Sequence, residues 1–152
     1  MVYALGGDSS APLGSTEVYS SSTNSWSPGP SMVSPHCSSP FSCYFPTIQR
    51  ILICGGSNGT TYLSSCEFLD TSTKTTAGFK AAASMSTPRG FFSGSLLPDG
   101  TTFVVCGGYN PSRLSSCEKY NALNNTWSST ANMSIARYAH ASVLFNNSII
   151  II

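Results

Sequence analysis

The sequence carries little charge. Only 9% of its 152 residues are Asp, Glu, Lys or Arg, and the net charge is +1, so no basic surface for nucleic acid or an anionic membrane is expected. Long apolar stretches are also missing: residues 149–152 form a run far shorter than the roughly 20 residues of a membrane-spanning helix. No basic segment followed by an apolar one opens the sequence, so no signal peptide is visible. From these absences we expect no nucleic-acid partner and no membrane segment.

Helical periodicity is the second absence. No stretch of ten or more residues repeats its apolar positions with the helical period. Instead, Pro, Gly, Ser, Thr and Asn separate short β-branched and aromatic runs every eight to twelve residues, which is typical of all-β proteins. Residues 98–100 and 146–147 are predicted hairpin turns, because Gly and Asn tolerate positive φ.

The sequence does contain one short pattern three times. A pair of glycines recurs at steps of 49 and 52 residues, and a glutamate, a methionine and a basic or imidazole side chain follow each pair. A period near 50 residues fits a four-stranded propeller blade, a unit that buries its apolar faces only against its neighbours. The repeated residues are, copy by copy, Gly6, Gly7, Glu17, Met32 and His36; Gly55, Gly56, Glu67, Met85 and Arg89; and Gly107, Gly108, Glu118, Met133 and Arg137.

The sequence begins and ends inside the same predicted strand. Residues 2–5 precede the first glycine pair as 51–54 and 103–106 precede the others, and residues 149–152 stand where that strand should recur. Propellers have about four to eight blades, so we expect a piece of one, with the remaining blades missing from this chain. The alternative is a short protein that closes its ring by homo-oligomerisation.

The predicted fold is therefore all-β: one partial propeller domain over residues 1–152, with four-stranded antiparallel blades, two complete and two partial. Residues 1–36 would supply strands two to four of one blade, 37–88 the second blade, 89–136 the third, and 137–152 the start of a fourth.

The third copy resembles the kelch repeat of six- or seven-bladed propellers. That resemblance is carried by Gly107, Gly108, Glu118, Tyr120, Trp127, Met133 and Arg137. The first copy keeps Tyr19 and Trp26 but has His36 for the arginine. The second has Leu69 for the tyrosine and Thr76 for the tryptophan.

The repeated residues are interpreted as structural. The glycines permit a backbone conformation that a β-carbon would forbid, and the tyrosines and tryptophans supply apolar area between blades. Glutamate and arginine recur once per blade and are expected to form an ion pair or a backbone tie. They are not expected to be catalytic, because identical reagents in every blade would not build a single active site.

Four of the six cysteines occupy two repeat positions. Cys54 and Cys106 precede a glycine pair, whereas Cys66 and Cys117 precede a glutamate. Since the second and third strands of a blade are antiparallel neighbours, cross-strand disulfides Cys54–Cys66 and Cys106–Cys117 are one interpretation. Free thiols in small buried slots are the other, and Cα separations above about 7 Å would exclude the bridges.

A metal site and a cofactor are not expected, because no Cys-x-x-Cys motif occurs and the two histidines are not suitably spaced for zinc. Asn-x-Ser/Thr sequons begin at Asn58, Asn124, Asn132 and Asn146. Together with disulfides they would favour an extracellular or lumenal location, although a sequence rich in Ser, Thr and Asn contains some sequons by chance.

The resemblance implies a non-catalytic scaffold that binds a protein partner. In kelch propellers, residues just after the glycine pair and just after the arginine line one mouth of the ring. These loops vary between the copies, as expected where loops carry specificity on a rigid frame, and Tyr and Arg are favoured anchors at interfaces. The candidate binding residues are Asp8, Ser57, Asn58, Phe91, Tyr109, Asn110, Arg113 and Tyr138.

Two other functions share this fold. Galactose-oxidase-like copper enzymes carry kelch-type blades, and residues 97–100 resemble their hairpins. However, His36 and His140 are interpreted as structural, and no nucleophile–base pair or paired carboxylates is seen. An adaptor for ubiquitin ligation would join the propeller to a BTB domain, of which the sequence contains nothing. Copper content of the full-length protein would separate the enzyme from the binding module.

Overall fold

A computed structural model describes residues 1–72 and 78–152. Its first sheet contains β1 (Val2–Leu5), β2 (Thr16–Ser20) and β3 (Ser25–Pro28). The second contains β4 (Phe41–Phe45), β5 (Arg50–Cys54), β6 (Cys66–Asp70) and β7 (Lys80–Ala82). The third contains β8 (Ser93–Leu96), β9 (Thr102–Cys106), β10 (Cys117–Asn121) and β11 (Thr126–Thr130), and the fourth contains β12 (Ser142–Phe145) and β13 (Ser148–Ile151).

This architecture confirms the predicted all-β fold. Neighbouring strands pair antiparallel and in chain order, which gives two complete four-stranded blades and two partial ones. The described strands do not close into a ring. Within residues 1–72 and 78–152, no helix is long and apolar enough to cross a membrane. Thr76, the predicted replacement for a tryptophan, lies outside the described residues. The repeat boundaries after residues 36, 88 and 136 stay a prediction.

The central strand β5 shows how the blades pack. Side chains of a strand point alternately to its two faces. Ile51 and Ile53 join the apolar cluster shared with the first blade, whereas Leu52 and Cys54 join the cluster shared with the third. Because a blade lies against each face, β5 is apolar along almost its whole length, in contrast to a strand with one solvated face.

The main core lies between the second and third blades. Phe45, Leu52 and Phe103 are each about 1% exposed, and Val105 is fully buried. The rings of Phe41 and Phe103 stack across the interface with centroids 5.4 Å apart. Apolar area of this kind is the dominant favourable contribution to packing one blade on the next.

A glycine pair directly follows each of the strands β1, β5 and β9. Gly55 has a φ of +64°, and a β-carbon there would lie 2.5 Å from the Arg89 carbonyl oxygen and 2.7 Å from the Phe92 ring. Glycine is therefore required at this position both by the backbone conformation and by the close approach of Arg89 and Phe92.

The cysteine pairs lie where the cross-strand interpretation placed them. Cys54 is the direct partner of Cys66, and Cys106 of Cys117. The Cα separations are 4.1 Å and 4.2 Å, well inside the exclusion limit, and the sulfur atoms are joined as disulfides.

Candidate functional site

The loops after the glycine pairs share a backbone frame. The second glycine of each pair donates its N–H to the carbonyl of the residue at the repeated basic or imidazole position. These bonds are Gly7 to His36, Gly56 to Arg89 and Gly108 to Arg137, each 2.9 Å long. The loop bases are thus fixed by main-chain bonds, and the side chains at the loop tips are free to differ between blades. We call the side of the molecule that carries these loops the loop end, and the side with the hairpin turns the turn end.

Four aromatic side chains meet at the loop end. The ring centroid of Tyr109 lies 5.7 Å from that of Tyr62 and 5.5 Å from that of Tyr138, and the Phe91 and Tyr138 centroids are 6.4 Å apart. Arg113 places its guanidinium 5.7 Å from the Tyr138 ring centroid, which is within cation–π range. Tyr62, Phe91, Tyr109 and Tyr138 form what we call the aromatic cluster.

Phe91 has a left-handed backbone conformation, with a φ of +54°. Ser38 and Ala139 occupy the equivalent position in the other connections and have φ values of +53° each. The connection geometry therefore sets this conformation, and a bulky side chain is an uncommon choice for it. The aromatic ring at position 91 is thus present despite a backbone cost, which is a feature found at functional surfaces.

Gly90 makes room for the cluster. A β-carbon at this residue would lie 2.9 Å from the ring of Tyr62. The equivalent positions in the other connections hold Cys37 and Tyr138. The absence of a side chain at position 90 therefore allows Tyr62 to lie over the connection between the second and third blades.

The remaining predicted binding residues shape their own loops. Asp8 Oδ1 accepts the Ser10 N–H at 3.1 Å, and Asn58 Oδ1 accepts the N–H groups of Thr60 and Thr61. Ser57 is buried and pairs its backbone with Cys37. Asn110 donates its N–H to the Ser112 carbonyl at 2.9 Å. Of the eight predicted residues, the structure thus brings Phe91, Tyr109, Arg113 and Tyr138 together.

Tyr62 belongs to the cluster but is absent from the sequence prediction. It pairs with Ser57 by an isolated bridge, as Arg113 pairs with Tyr109 and Pro12 with Asp8. Tyr62 follows its glycine pair by six residues, whereas Pro12 and Arg113 follow theirs by five. The extra residue in the second loop hides this equivalence, which alignment on the downstream glutamate reveals.

A buried ion pair at two of the repeat positions ties the third blade to the connection that precedes it. Arg89 donates from Nη2 to Glu118 Oε1 at 2.8 Å and from Nη1 to the Gly107 carbonyl at 2.6 Å, with both ionised groups buried. Glu118 also accepts the backbone N–H groups of Ser86 and Thr87. Burial lowers the pKa of Arg89, and the ion pair with Glu118 opposes that effect.

His36 takes the arginine position in the first connection. Its Nδ1 lies 2.7 Å from the Gly55 carbonyl oxygen and its Nε2 lies 3.4 Å from Glu67 Oε1. Glu67 accepts the backbone N–H of Val33 at 2.6 Å and that of Ser34 at 2.8 Å. By contrast, Glu17 of the first blade is exposed.

Acid should remove the contribution of Glu67 to stability. Burial alone raises the pKa of Glu67, but hydrogen bonds from His36, Ser34 and the Val33 amide outweigh it and hold that pKa below its ordinary value. A depressed folded-state pKa stabilises the protein above the unfolded pKa of about 4.3, and this stabilisation is lost as the pH falls through the folded value. We expect Glu67→Gln to cost about 1.5–3 kcal/mol at neutral pH, the usual range for hydrogen bonds to a charged group.

The measurement is urea unfolding of wild type and Glu67→Gln from neutral pH down to about pH 3, below the ordinary carboxyl pKa. The difference in free energy of unfolding should shrink as the pH falls. Glu17→Gln is the control and should show little difference throughout. A Glu67→Gln effect that is constant across the range would contradict the prediction.

The aromatic residues at the repeat positions differ in their surroundings. Trp127 donates from Nε1 to the Ala83 carbonyl of the second blade at 2.9 Å, and Tyr120 beside it is 4% exposed. Trp26 packs against Tyr19 with its ring tilted by 48°, but it is 51% exposed. The predicted blade-to-blade packing of tryptophan is therefore seen at Trp127, where a described blade lies against the ring.

A cavity of about 560 Å³ lies beside β1. It is lined by Tyr3 and Leu5 of β1 and by Tyr44 and Ile51 of the next blade, among others. β1 has β2 on one side, and the other edge carries no strand among the described residues. We assign the cavity to the incomplete first blade, since it lies where the innermost strand of a full blade would run. In the part of the chain that the structure describes, no three His, Cys, Asp or Glu residues are grouped to hold a metal ion.

Comparison with known proteins identifies similar sequences. A family model described as the Kelch motif matches residues 1–33 and 98–134. Kelch repeat-containing protein kel-10 of Caenorhabditis elegans is 31% identical over an alignment of 108 residues that covers 68% of this chain and 18% of that protein. The chain thus spans about a fifth of the length of this relative.

A solved structure shares the fold. It is titled a novel fungal alcohol oxidase with catalytic diversity among the AA5 family, in complex with copper. The TM-score is 0.78 over 91% of this chain and 32% of that one, with 19% sequence identity. At this identity the likeness shows the fold alone.

Proposed function

Because the chain belongs to the kelch-repeat family, we propose that it is a non-catalytic scaffold that binds a protein partner through its loop end. The observation that carries this proposal is the aromatic cluster with Arg113 beside it. The cluster combines residues from two glycine-pair loops and two blade connections. Such a surface exists only when successive blades are packed together.

The chemistry of the cluster suits a protein partner. Tyr138 is 43% exposed, and Tyr62 and Tyr109 are partly exposed. Tyrosine offers a large apolar ring with a polar tip, and tyrosine and arginine are enriched among the residues that dominate interface energies. Arg113 is exposed and supplies a cation that can pair with an acidic group of the partner.

The oxidase neighbour supports the fold that the proposal uses. Its chemistry is not transferred, because the likeness is structural. In this chain, His36 is buried beside Glu67, with 3.4 Å between Nε2 and the carboxylate. Burial lowers the pKa of His140, and the positive charge of Arg137 lowers it further. His36 therefore already has a structural partner in this chain.

Substitutions in the cluster should weaken partner binding. We expect Tyr109→Ala and Arg113→Ala each to reduce affinity by about tenfold or more, since truncating an interface anchor costs about 1–2 kcal/mol or more. The partner would be recovered with the full-length protein, purified, and titrated against each variant by calorimetry.

Tyr44→Ala is the matched control. Tyr44 is a tyrosine on β4 that is 50% exposed and does not belong to the aromatic cluster. Its replacement should leave the affinity unchanged. Equal affinities for Tyr109→Ala, Arg113→Ala and Tyr44→Ala, with all three proteins folded, would rule out the loop end as the binding surface.

A further inference from the structure

We propose that Asn124 and Asn146 carry N-linked glycans at the turn end of the molecule. Both residues begin Asn-x-Ser/Thr sequons. Both are exposed, as are the hydroxyl residues of their sequons, Thr126 and Ser148. N-glycosylation needs this sequon on an accessible surface segment of a protein that enters the secretory pathway.

The strand order places both asparagines at the turn end. Asn124 lies between β10 and β11, and Asn146 lies between β12 and β13. In an antiparallel sheet, these hairpins lie opposite the loop between β9 and β10, which carries Tyr109 and Arg113. The turn between β4 and β5 contacts that between β8 and β9, where Thr47 Oγ1 donates to the Gly100 carbonyl at 2.9 Å. Hairpin turns of successive blades thus gather at one end.

At Asn124, the side-chain atom that would carry the sugar is not the atom that is hydrogen-bonded to Thr126. Thr126 Oγ1 donates to Asn124 Oδ1 at 2.6 Å, so the sequon hydroxyl contacts the carboxamide oxygen of the residue that would be modified. The sugar is attached to the amide nitrogen, Nδ2, and a glycan on that atom is compatible with this hydrogen bond.

At Asn146, the turn conformation explains the asparagines but not the complete sequon. Asn146 and Asn147 have φ values of +46° and +60°, the conformation of a tight hairpin turn. This conformation accounts for two asparagines in succession but not for the hydroxyl at Ser148 that completes the sequon. Asn146 is exposed in the two-residue turn between the paired residues Phe145 and Ser148.

The cysteines give an independent reason to expect the same compartment. Two disulfides join β5 to β6 and β9 to β10. Disulfides form and persist in oxidising compartments, which include the lumen where N-glycans are attached. The sequons Asn58 and Asn132 are left out of the proposal, because Asn58 lies in a loop at the loop end and Asn132 in a blade connection. That exclusion alone rests on the proposed function of the loop end.

The test uses the complete natural protein, expressed in eukaryotic cells. The purified protein is treated with peptide N-glycosidase in heavy-oxygen water and analysed by peptide mass spectrometry. We expect heavy-oxygen aspartate at positions 124 and 146. Unmodified asparagine at both positions would overturn the proposal, and unmodified asparagine at one would overturn it for that site.

Matched variants separate loss of the sequon from loss of folding. Thr126→Ala and Ser148→Ala remove a sequon and should each abolish one glycan, whereas Thr126→Ser and Ser148→Thr keep the sequon and should keep the glycan. A glycan that survives the alanine substitutions would also overturn the assignment. Because this readout is chemical, it is independent of whether a partner binds the aromatic cluster.

Discussion

Replacing Glu118 by alanine should lower the free energy of unfolding by about 3–5 kcal/mol, the cost of removing one partner of a buried ion pair. The variant would leave the fully buried Arg89 without its carboxylate, at 2.8 Å in the wild type. It would also leave the N–H groups of Ser86 and Thr87 without their acceptor. Both losses act on the connection between the second and third blades.

The measurement is equilibrium urea unfolding, and the chain supplies its own control. Glu17 is the equivalent glutamate of the first blade, but it is exposed. Glu17→Ala should therefore change stability by no more than about 0.5 kcal/mol, as is usual for surface substitutions. Similar effects of Glu17→Ala and Glu118→Ala would mean that the buried pair does not stabilise the fold.

Removing one disulfide should have the second largest effect. For the double variant Cys106→Ala, Cys117→Ala we expect the free energy of unfolding to fall by about 2–4 kcal/mol, because a cross-link over a loop of this size restricts the unfolded chain. The two cysteines are 11 residues apart in sequence and lie directly opposite each other on β9 and β10.

A thiol reductant provides the comparison for this prediction. Wild type measured in reductant should become less stable than in its absence, whereas Cys43→Ala, at a cysteine that is not disulfide-bonded, should keep the full response to reductant. A wild-type stability that does not respond to reductant would show that the pairs do not form disulfides in solution.

The charged tie also explains why one repeat tolerates histidine in place of arginine. His36 reaches the carbonyl of the first glycine, Gly55, as Arg89 reaches that of Gly107. The guanidinium makes further bonds, to the Ser116 carbonyl and to Glu118, whereas His36 Nε2 lies 3.4 Å from Glu67. Both glutamates accept two backbone N–H groups from the preceding connection, and Glu67 also accepts the Ser34 hydroxyl.

The cysteine positions show how far sequence reasoning reached within a blade. Cys54 and Cys66 were expected as neighbours because two repeat positions vary together and adjacent strands pair antiparallel. Leu5 and Thr16, which stand at these positions in the first copy, are also direct cross-strand partners. Register within a sheet is local and is set by strand order and turn length.

The aromatic cluster shows where sequence reasoning stopped. Phe91, Tyr109 and Tyr138 were predicted to line one mouth of the propeller, but their mutual contacts were not predicted and Tyr62 was missed. Their grouping depends on the packing of one blade against the next and on the space that Gly90 leaves for the Tyr62 ring. A one-residue difference in loop length was enough to hide the relation between Tyr62 and Arg113.

The sequence by itself therefore determined the repeat, the strand order and the cross-strand neighbours, because alternation along a strand and pairing between consecutive strands are short-range. Only the tertiary structure decided which side chains meet between blades, since those contacts join residues about 30 to 50 positions apart, such as Tyr62 with Tyr109. The same reason separates Trp127, bonded to Ala83 of the preceding blade, from the exposed Trp26. A motif residue acquires its contacts from the blade that lies against it.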